Sequence, residues 1–403
     1  MPLNIDDNRI ALSITPILRL AFRPLFLGGS FFSVIAIAWW TYFWINPSGW
    51  APHGGPVWWH GHEMLFGFGA AIVVGFLLTA VQTWTGVIGI RGKPLAVLAV
   101  SWIAGRLLLA FGVSFGVSGW LIAAVDVSFL LLASIAMAYP ILKIKQWHNL
   151  MFVPILFILS LLNASGHWAV INNQPHIATQ SLHGTIVLFS LIITILGGRV
   201  IPAFTANTTG CTKKAPLKWL EIFSIVSIIV LVFIAFSGFD NVPPMLLLTV
   251  SVIAAIANGW RFSRWGFQHS KSEPLLWSLH LAYIFIPLGF IMLALHSIGL
   301  MGNTSAALHS ITVGSIGGMI LGMLSRVTLG HTGRQLNPPR MITVAYLLIF
   351  VATLVRVIVP AWLPEYTLLS IGIAGGLWVL AFSVYLYFYG FMLVTARADG
   401  RPG

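Results

Sequence analysis

At 403 residues, 58% hydrophobic and 7% charged, with a mean hydropathy of +0.93, the chain reads as an integral membrane protein with nothing left over for a soluble domain. Its single cysteine, Cys211, excludes an internal disulfide and a cysteine-ligated cluster. A formal net charge of +12 would suggest a nucleic-acid partner in a soluble chain, but here its distribution is a topology signal and excludes nucleic acid.

The polar stretch Asn4-Ile5-Asp6-Asp7-Asn8-Arg9 leads into the first apolar segment without a small-residue cleavage site, so that segment is read as a retained span rather than a signal peptide. Apolar runs long enough to cross a hydrocarbon core of about 30 Å fall near 20–45, 60–84, 94–113, 119–140, 150–171, 179–202, 217–236, 242–260, 275–299, 305–328, 341–360 and 366–394. The short polar breaks near Gly116 and Pro243-Pro244 are the weakest divisions. The expected fold is all-α and polytopic, one twelve-helix transmembrane domain covering residues 1–403.

Lys and Arg alternate with the spans. Arg9, Arg19 and Arg23 precede the first; Arg91 and Lys93 follow the second; Lys143 and Lys145 the fourth; Arg199, Lys213, Lys214 and Lys218 the sixth. Arg261, Arg264 and Lys271 follow the eighth, Arg326, Arg334 and Arg340 the tenth, and Arg397 and Arg401 the twelfth. Intervening loops such as 46–57 and 172–178 carry neither residue. The positive-inside rule then puts both termini in the cytoplasm. Arg106 and Arg356 depart from the pattern, in the outer halves of the third and eleventh spans. Each is open to two readings: an arginine that snorkels outward or pairs with a buried acid such as Asp126, or a guanidinium that clamps carboxylates of a bound cofactor.

The densest chemistry is Trp58-Trp59-His60-Gly61-His62-Glu63-Met64, at the mouth of the second span. Two imidazoles, a carboxylate and a thioether are costly in an apolar medium unless they bind something or pair internally, so the cluster is a place for a metal or a haem. The bland alternative is an interfacial cap facing headgroups. His53, His60, His62, His167, His176, His183, His296 and His309 all map to the outer side.

A repeat runs through the chain. At one constant offset His62 aligns with His309, Gly67 with Gly314, Ala71 with Gly318, Gly75 with Gly322, Thr85 with Thr332 and Gly86 with Gly333. Small residues every fourth position form one smooth helical stripe, which admits a neighbouring backbone or a flat ring. His183 heads the sixth span in the same way, so His-headed helices recur at every fourth span. Such quasi-threefold recurrence, with helices two, six and ten central, is similar to the catalytic subunits of haem-copper oxidases and nitric oxide reductases. The paired histidines expected on the seventh helix there are absent from 217–236.

At residue level the match is to another family. Ala21-Phe22-Arg23-Pro24, Trp59-His60-Gly61-His62-Glu63-Met64-Leu65-Phe66-Gly67-Phe68, Gly75-Phe76-Leu77-Leu78-Thr79-Ala80, Trp84-Thr85-Gly86, Trp102-Ile103-Ala104-Gly105-Arg106 and Leu329-Gly330-His331-Thr332-Gly333-Arg334 together resemble the NnrS family over essentially the whole chain. The resemblance implies a bacterial inner-membrane protein that binds haem and copper and is associated with nitric oxide metabolism and nitrosative stress.

Neutral imidazole suits haem iron and copper alike. Two positions on a helix are about 200° apart, so His60 and His62 cannot face one ligand unless the helix begins between them. The repeat-related pair His62 and His309 is assigned to haem, expected as b-type, with Arg106 and Arg356 on its propionates. His60 and His183 are assigned to copper, with Glu63 or Met64 beside it. His331, in a glycine-rich turn on the opposite side, cannot reach that site.

Four functions compete: a haem-copper protein that senses, scavenges or turns over nitric oxide; an oxidoreductase of the nitric oxide reductase type; a small-molecule transporter; and an assembly partner of another metalloprotein. The scarcity of midplane charges argues against coupled transport, and the histidine clustering against a purely structural role. Glu63 and Asp126, both near the outer face, are the intramembrane carboxylates available for proton transfer.

Overall fold

The computed structural model describes residues 8–47, 49–302 and 304–402; most of the polar stretch read at residues 4–9 lies outside them, with only the backbone of 8 and 9 described. Among the described residues there is no strand, as hydrocarbon requires of a chain that must satisfy its backbone internally without closing a barrel. Twelve helices are long and apolar enough to cross a membrane: α1 Phe22–Ile45, α2 Gly55–Thr85, α3 Lys93–Phe111, α4 Gly119–Lys143, α5 Trp147–Ile171, α6 Pro175–Thr209, α7 Lys218–Ser237, α8 Pro244–Ser263, α9 Pro274–Ser297, α10 Ser305–His331, α11 Arg340–Trp362 and α12 Pro364–Val394. An even number of spans puts the start of α1 and the end of α12 on one face.

The boundaries follow local chemistry. Proline, which has no N–H to lose and a φ already helical, opens α2, α3, α6, α8 and α9 within their first two positions. Gly86 and Gly210 close α2 and α6 at φ 68° and 70°, in the left-handed region that L side chains avoid. The helices outrun the apolar windows where polar residues continue the backbone pattern. α6 has 35 residues, about 50 Å at 1.5 Å per residue, more than a hydrocarbon core needs. α2 begins at Gly55, so the whole histidine motif lies on the helix rather than at its entrance.

α2, α6 and α10 form the interior. Of the most apolar 18-residue window in each, 78, 72 and 83% is buried, against 67% in α9 and 50% or less in the rest. The surrounding helices pack largely in sequence order, and α12 returns to lie against α1. Arg23 locks that closure. Fully buried, it donates through Nη1 to the carbonyls of Met392, Leu393 and Thr395 at 3.3, 3.1 and 2.7 Å, satisfying carbonyls that the end of α12 leaves without intrahelical donors.

The repeat has a structural counterpart. Directly after His62, residues Glu63–Gly69 of α2 form a π-helical segment, and directly after His309, Ser310–Gly317 of α10 form another. Thr85 and Thr332 each donate to the carbonyl four residues earlier, at 2.7 and 2.6 Å. The small-residue stripes serve helix packing: a Cβ at Gly75 would press on Leu25 and Phe22 of α1, and one at Gly314 or Gly322 on Phe285 or Leu279 of α9.

Candidate functional site

Two compartments flank α2 in the half of the bundle away from the termini. The first is a buried polar cluster assembled from α2 to α5. His62 of α2 has Nδ1 3.0 Å from Oε1 of Glu63 and Nε2 2.8 Å from Oδ1 of Asn163, with Oδ2 of Asp126 at 3.2 Å. Arg106 of α3 donates through Nη1 to Oε1 of Glu63 at 2.7 Å and through Nη2 to Oδ1 of Asp126. Asn163 donates to Oδ2 of Asp126 at 2.7 Å, and Nε2 of His167 lies 3.1 Å from the same oxygen. Nδ1 of His167 meets Nε2 of His53 at 3.2 Å, which extends the cluster to the loop before α2.

Burial makes this arrangement demanding. His62, Glu63, Asp126, Asn163 and His167 are at most 2% exposed, and His53 and Arg106 5%. Burial beside His167 and His62 holds the His53 imidazole down to about 4, so it is neutral at physiological pH. Two carboxylates face one guanidinium among these imidazoles, a costly arrangement in a low-dielectric interior unless a further positive charge joins them. Oε2 of Glu63 is buried without a hydrogen-bond partner. His62 has acceptor atoms at both ring nitrogens, whereas a neutral imidazole has one N–H. Each of these features favours an added cation. His62, Asp126 and His167 offer ligand atoms within 4.8 Å of one another, the one such group of three or more among the described residues.

The π segment builds this compartment. A π turn leaves its backbone carbonyls imperfectly paired, and Trp102 of α3 donates its indole N–H to the carbonyl of Gly67 at 2.8 Å. Four residues on, one turn along the same face, Arg106 reaches Glu63. Gly67 is required by proximity: a Cβ there would collide with Arg106 Nη1, the Phe32 ring and Oε2 of Glu63.

The second compartment is a cavity of about 710 Å³ where α2, α6 and α10 meet, within the usual range for small-molecule and cofactor sites. Its wall is largely apolar, including Leu65, Phe68, Leu182, Ile186, Leu308 and Trp378, and is broken by His60, His183, His309 and Met64. His60 stacks on Trp40 at 4.3 Å and 7°, and His183 on Phe239 at 5.3 Å. His309 has Nδ1 2.7 Å from the Ser305 carbonyl. That carbonyl can only accept, so Nδ1 holds the proton and Nε2 keeps its lone pair. Arg356 of α11 is not among the residues that line the cavity, and among the described residues no acid pairs with it.

The expected site residues therefore divide. The structure brings together His60, His183, His309 and Met64, which supplied ligands to two different cofactors in the sequence reading. It does not bring His62 to His309: His62 points to the polar cluster, so the pair assigned to haem is split between compartments. Glu63 likewise leaves the copper group for the cluster. Arg106 pairs with Glu63 and Asp126, the acid-pairing alternative, and does not line the cavity. His53, Asn163 and His167 were not among the assigned residues. The four-residue spacing of Asn163 and His167, which sets both on one face of α5, was the available signal.

The family's sequence model, described as NnrS protein, matches residues 16–397. The chain belongs to the NnrS family. No curated protein matches this NnrS chain. The matched range includes the structural parts described above: Arg23 at the helix closure, Trp102 and Arg106 at the π turn, and His60, His62 and Glu63 in the two compartments. With its twelve apolar spans, this NnrS protein is a multi-pass membrane protein.

Proposed function

We propose that this NnrS protein is a haem- and copper-binding protein of the bacterial inner membrane that acts in the nitric oxide response, with both termini cytoplasmic and its metal chemistry toward the outer face. The observation that carries the reading is the pairing, across α2, of an apolar cavity edged by three imidazoles with a buried carboxylate–imidazole cluster.

The residues fit both groups. A haem needs a large apolar slot with neutral imidazole donors. His309, its Nδ1–H held by a backbone carbonyl, and His60, held flat on Trp40, would hold the iron, with His183 and Met64 as further donors on the same wall; Arg356, outside that wall, would be the propionate partner on the sequence argument alone. A copper ion suits His62 and His167 as imidazole donors, with Asp126 as carboxylate donor and Glu63, Asn163 and Arg106 orienting them. Bound haem iron would supply a site for nitric oxide. The protein's part is to exclude water from the cavity, hold each imidazole in one tautomer and keep the copper charge balanced.

The test is iron and copper analysis with optical spectra of the detergent-purified protein, oxidised, reduced, and reduced with nitric oxide. His309→Ala is expected to lose or shift the haem bands while retaining copper, and His167→Ala to lose copper while retaining haem. A native protein with neither metal, or variants identical to it, would overturn the proposal.

A further inference from the structure

A second charged cavity, of about 400 Å³, lies on the termini side of the bundle among the ends of α6 and α8, the start of α7 and the 213–217 loop. It is lined by five cations, Arg199, Lys213, Lys214, Arg261 and Arg264, and by one acid, Glu221. Glu221 is fully committed. Arg261 grips it through Nε at 2.8 Å and Nη2 at 2.5 Å, and its remaining nitrogen donates to the Thr194 carbonyl at 2.6 Å. This pair is part of the fold: a Cβ at Gly198 would fall on the Arg261 guanidinium.

Four cations remain around one small cavity without a carboxylate. Arg264 donates to the Ala215 carbonyl at 2.9 Å, which holds the lysine-bearing loop over the opening. Arg199 donates to Oδ1 of Asn149 at 3.2 Å and sits against the Phe152 ring. Neutral partners orient these groups but cancel no charge. Arg199, Lys213 and Lys214 are exposed and Arg264 half-buried, so all four are open to an incoming anion, and mixed Arg and Lys donors suit phosphate oxygens. The rest of the wall is apolar, with Ile195, Pro202, Leu217, Leu220 and Ile225.

We propose that this cavity is a phosphate-anion site, filled by the phosphodiester of an anionic phospholipid or by a free phosphate, and independent of the haem and copper reading. The apolar wall beside the four cations suits a headgroup with its chains still in the bilayer.

The experiment uses the full-length purified protein, the Lys213→Gln/Lys214→Gln variant, a Lys213→Arg/Lys214→Arg rescue, and Lys143→Gln/Lys271→Gln as a charge-matched control from the same face. Lipid arm: after equilibration with phosphatidylglycerol and phosphatidylcholine, native mass spectrometry is expected to show phosphatidylglycerol retained by the wild type, rescue and control, and reduced about ten-fold or more in the glutamine variant. Free-anion arm: if no lipid preference is seen, inorganic phosphate is expected to raise the melting temperature of those three proteins and not of the glutamine variant. Equal retention by all four proteins with no phosphate effect specific to the lysines overturns the site.

Discussion

His60 and His62 are separated by one glycine and belong to different surroundings. His60 lies parallel to Trp40 at the edge of the apolar cavity, whereas His62 is engaged at both ring nitrogens inside the polar cluster. Phenylalanine should therefore be tolerated at one position and not the other. His60→Phe keeps the stack on Trp40 and should change apoprotein stability by no more than about 0.5 kcal/mol. His62→Phe strands Glu63 and Asn163 and should cost roughly 3 kcal/mol. Thermal unfolding of the two variants in the same detergent compares them directly; equal losses would contradict the separation.

Arg106 balances Glu63 and Asp126 together. Removing the guanidinium alone, as Arg106→Gln, leaves two buried carboxylates facing each other and should cost about 3–5 kcal/mol. Adding Asp126→Asn removes one of those charges, so the double variant should be more stable than Arg106→Gln alone. A double-mutant cycle read by chemical denaturation measures the coupling, and strict additivity would show that the three groups do not act as one unit.

The close approach at Gly67 can be probed by a single methyl. Gly67→Ala drives a Cβ into Arg106, Phe32 and Glu63, and should cost about 1–3 kcal/mol by overpacking. Gly330→Ala meets a neighbour only at 3.9 Å and serves as the control, with an expected change within about 0.5 kcal/mol. The readout is the shift in apparent melting temperature.

The C-terminal tail docks on the end of α10 through Ala398 and Arg397, and one titratable group, Asp399, holds that arginine. Ala398 donates to the Thr332 carbonyl at 3.0 Å and Arg397 to that of His331 at 3.0 Å. Hydrogen bonds from the Arg397 guanidinium hold the Asp399 carboxyl well below the usual carboxylate range. A carboxylate with a lowered folded pKa contributes stability that is present above its unfolded value, near 4, and lost as pH falls through the folded value. Tail release is therefore expected only in strong acid. Asp399→Asn should release it at neutral pH, seen as faster tryptic cleavage after Arg397; unchanged cleavage would mean the backbone bonds alone suffice.

Much of the fold was legible because its determinants are local. Hydropathy and Lys/Arg alternation located twelve spans, and the His-headed repeat identified α2, α6 and α10 as the interior. The site was legible only in part. Helical geometry separated His60 from His62, but which of them shares a space with His309 depends on the π turn after His62 and on helices brought alongside from elsewhere in the chain. Asp126, Asn163 and His167 come from α4 and α5, and no sequence spacing relates them to His62. The glycine stripes had two readings, and the structure shows the packing one at Gly75, Gly314 and Gly322.

A helix with a π turn carries a phase slip. Residues before Glu63 are offset in angle from where an unbroken α-helix would put them, and the matching slip at Ser310–Gly317 does the same to His309. Winding the same residues as an unbroken α-helix would turn everything upstream by about 100°, carrying His60 away from the cavity and His62 away from Asp126 without altering either side chain. The contents of the two compartments are thus determined by how the backbone winds at these two turns as much as by residue identity.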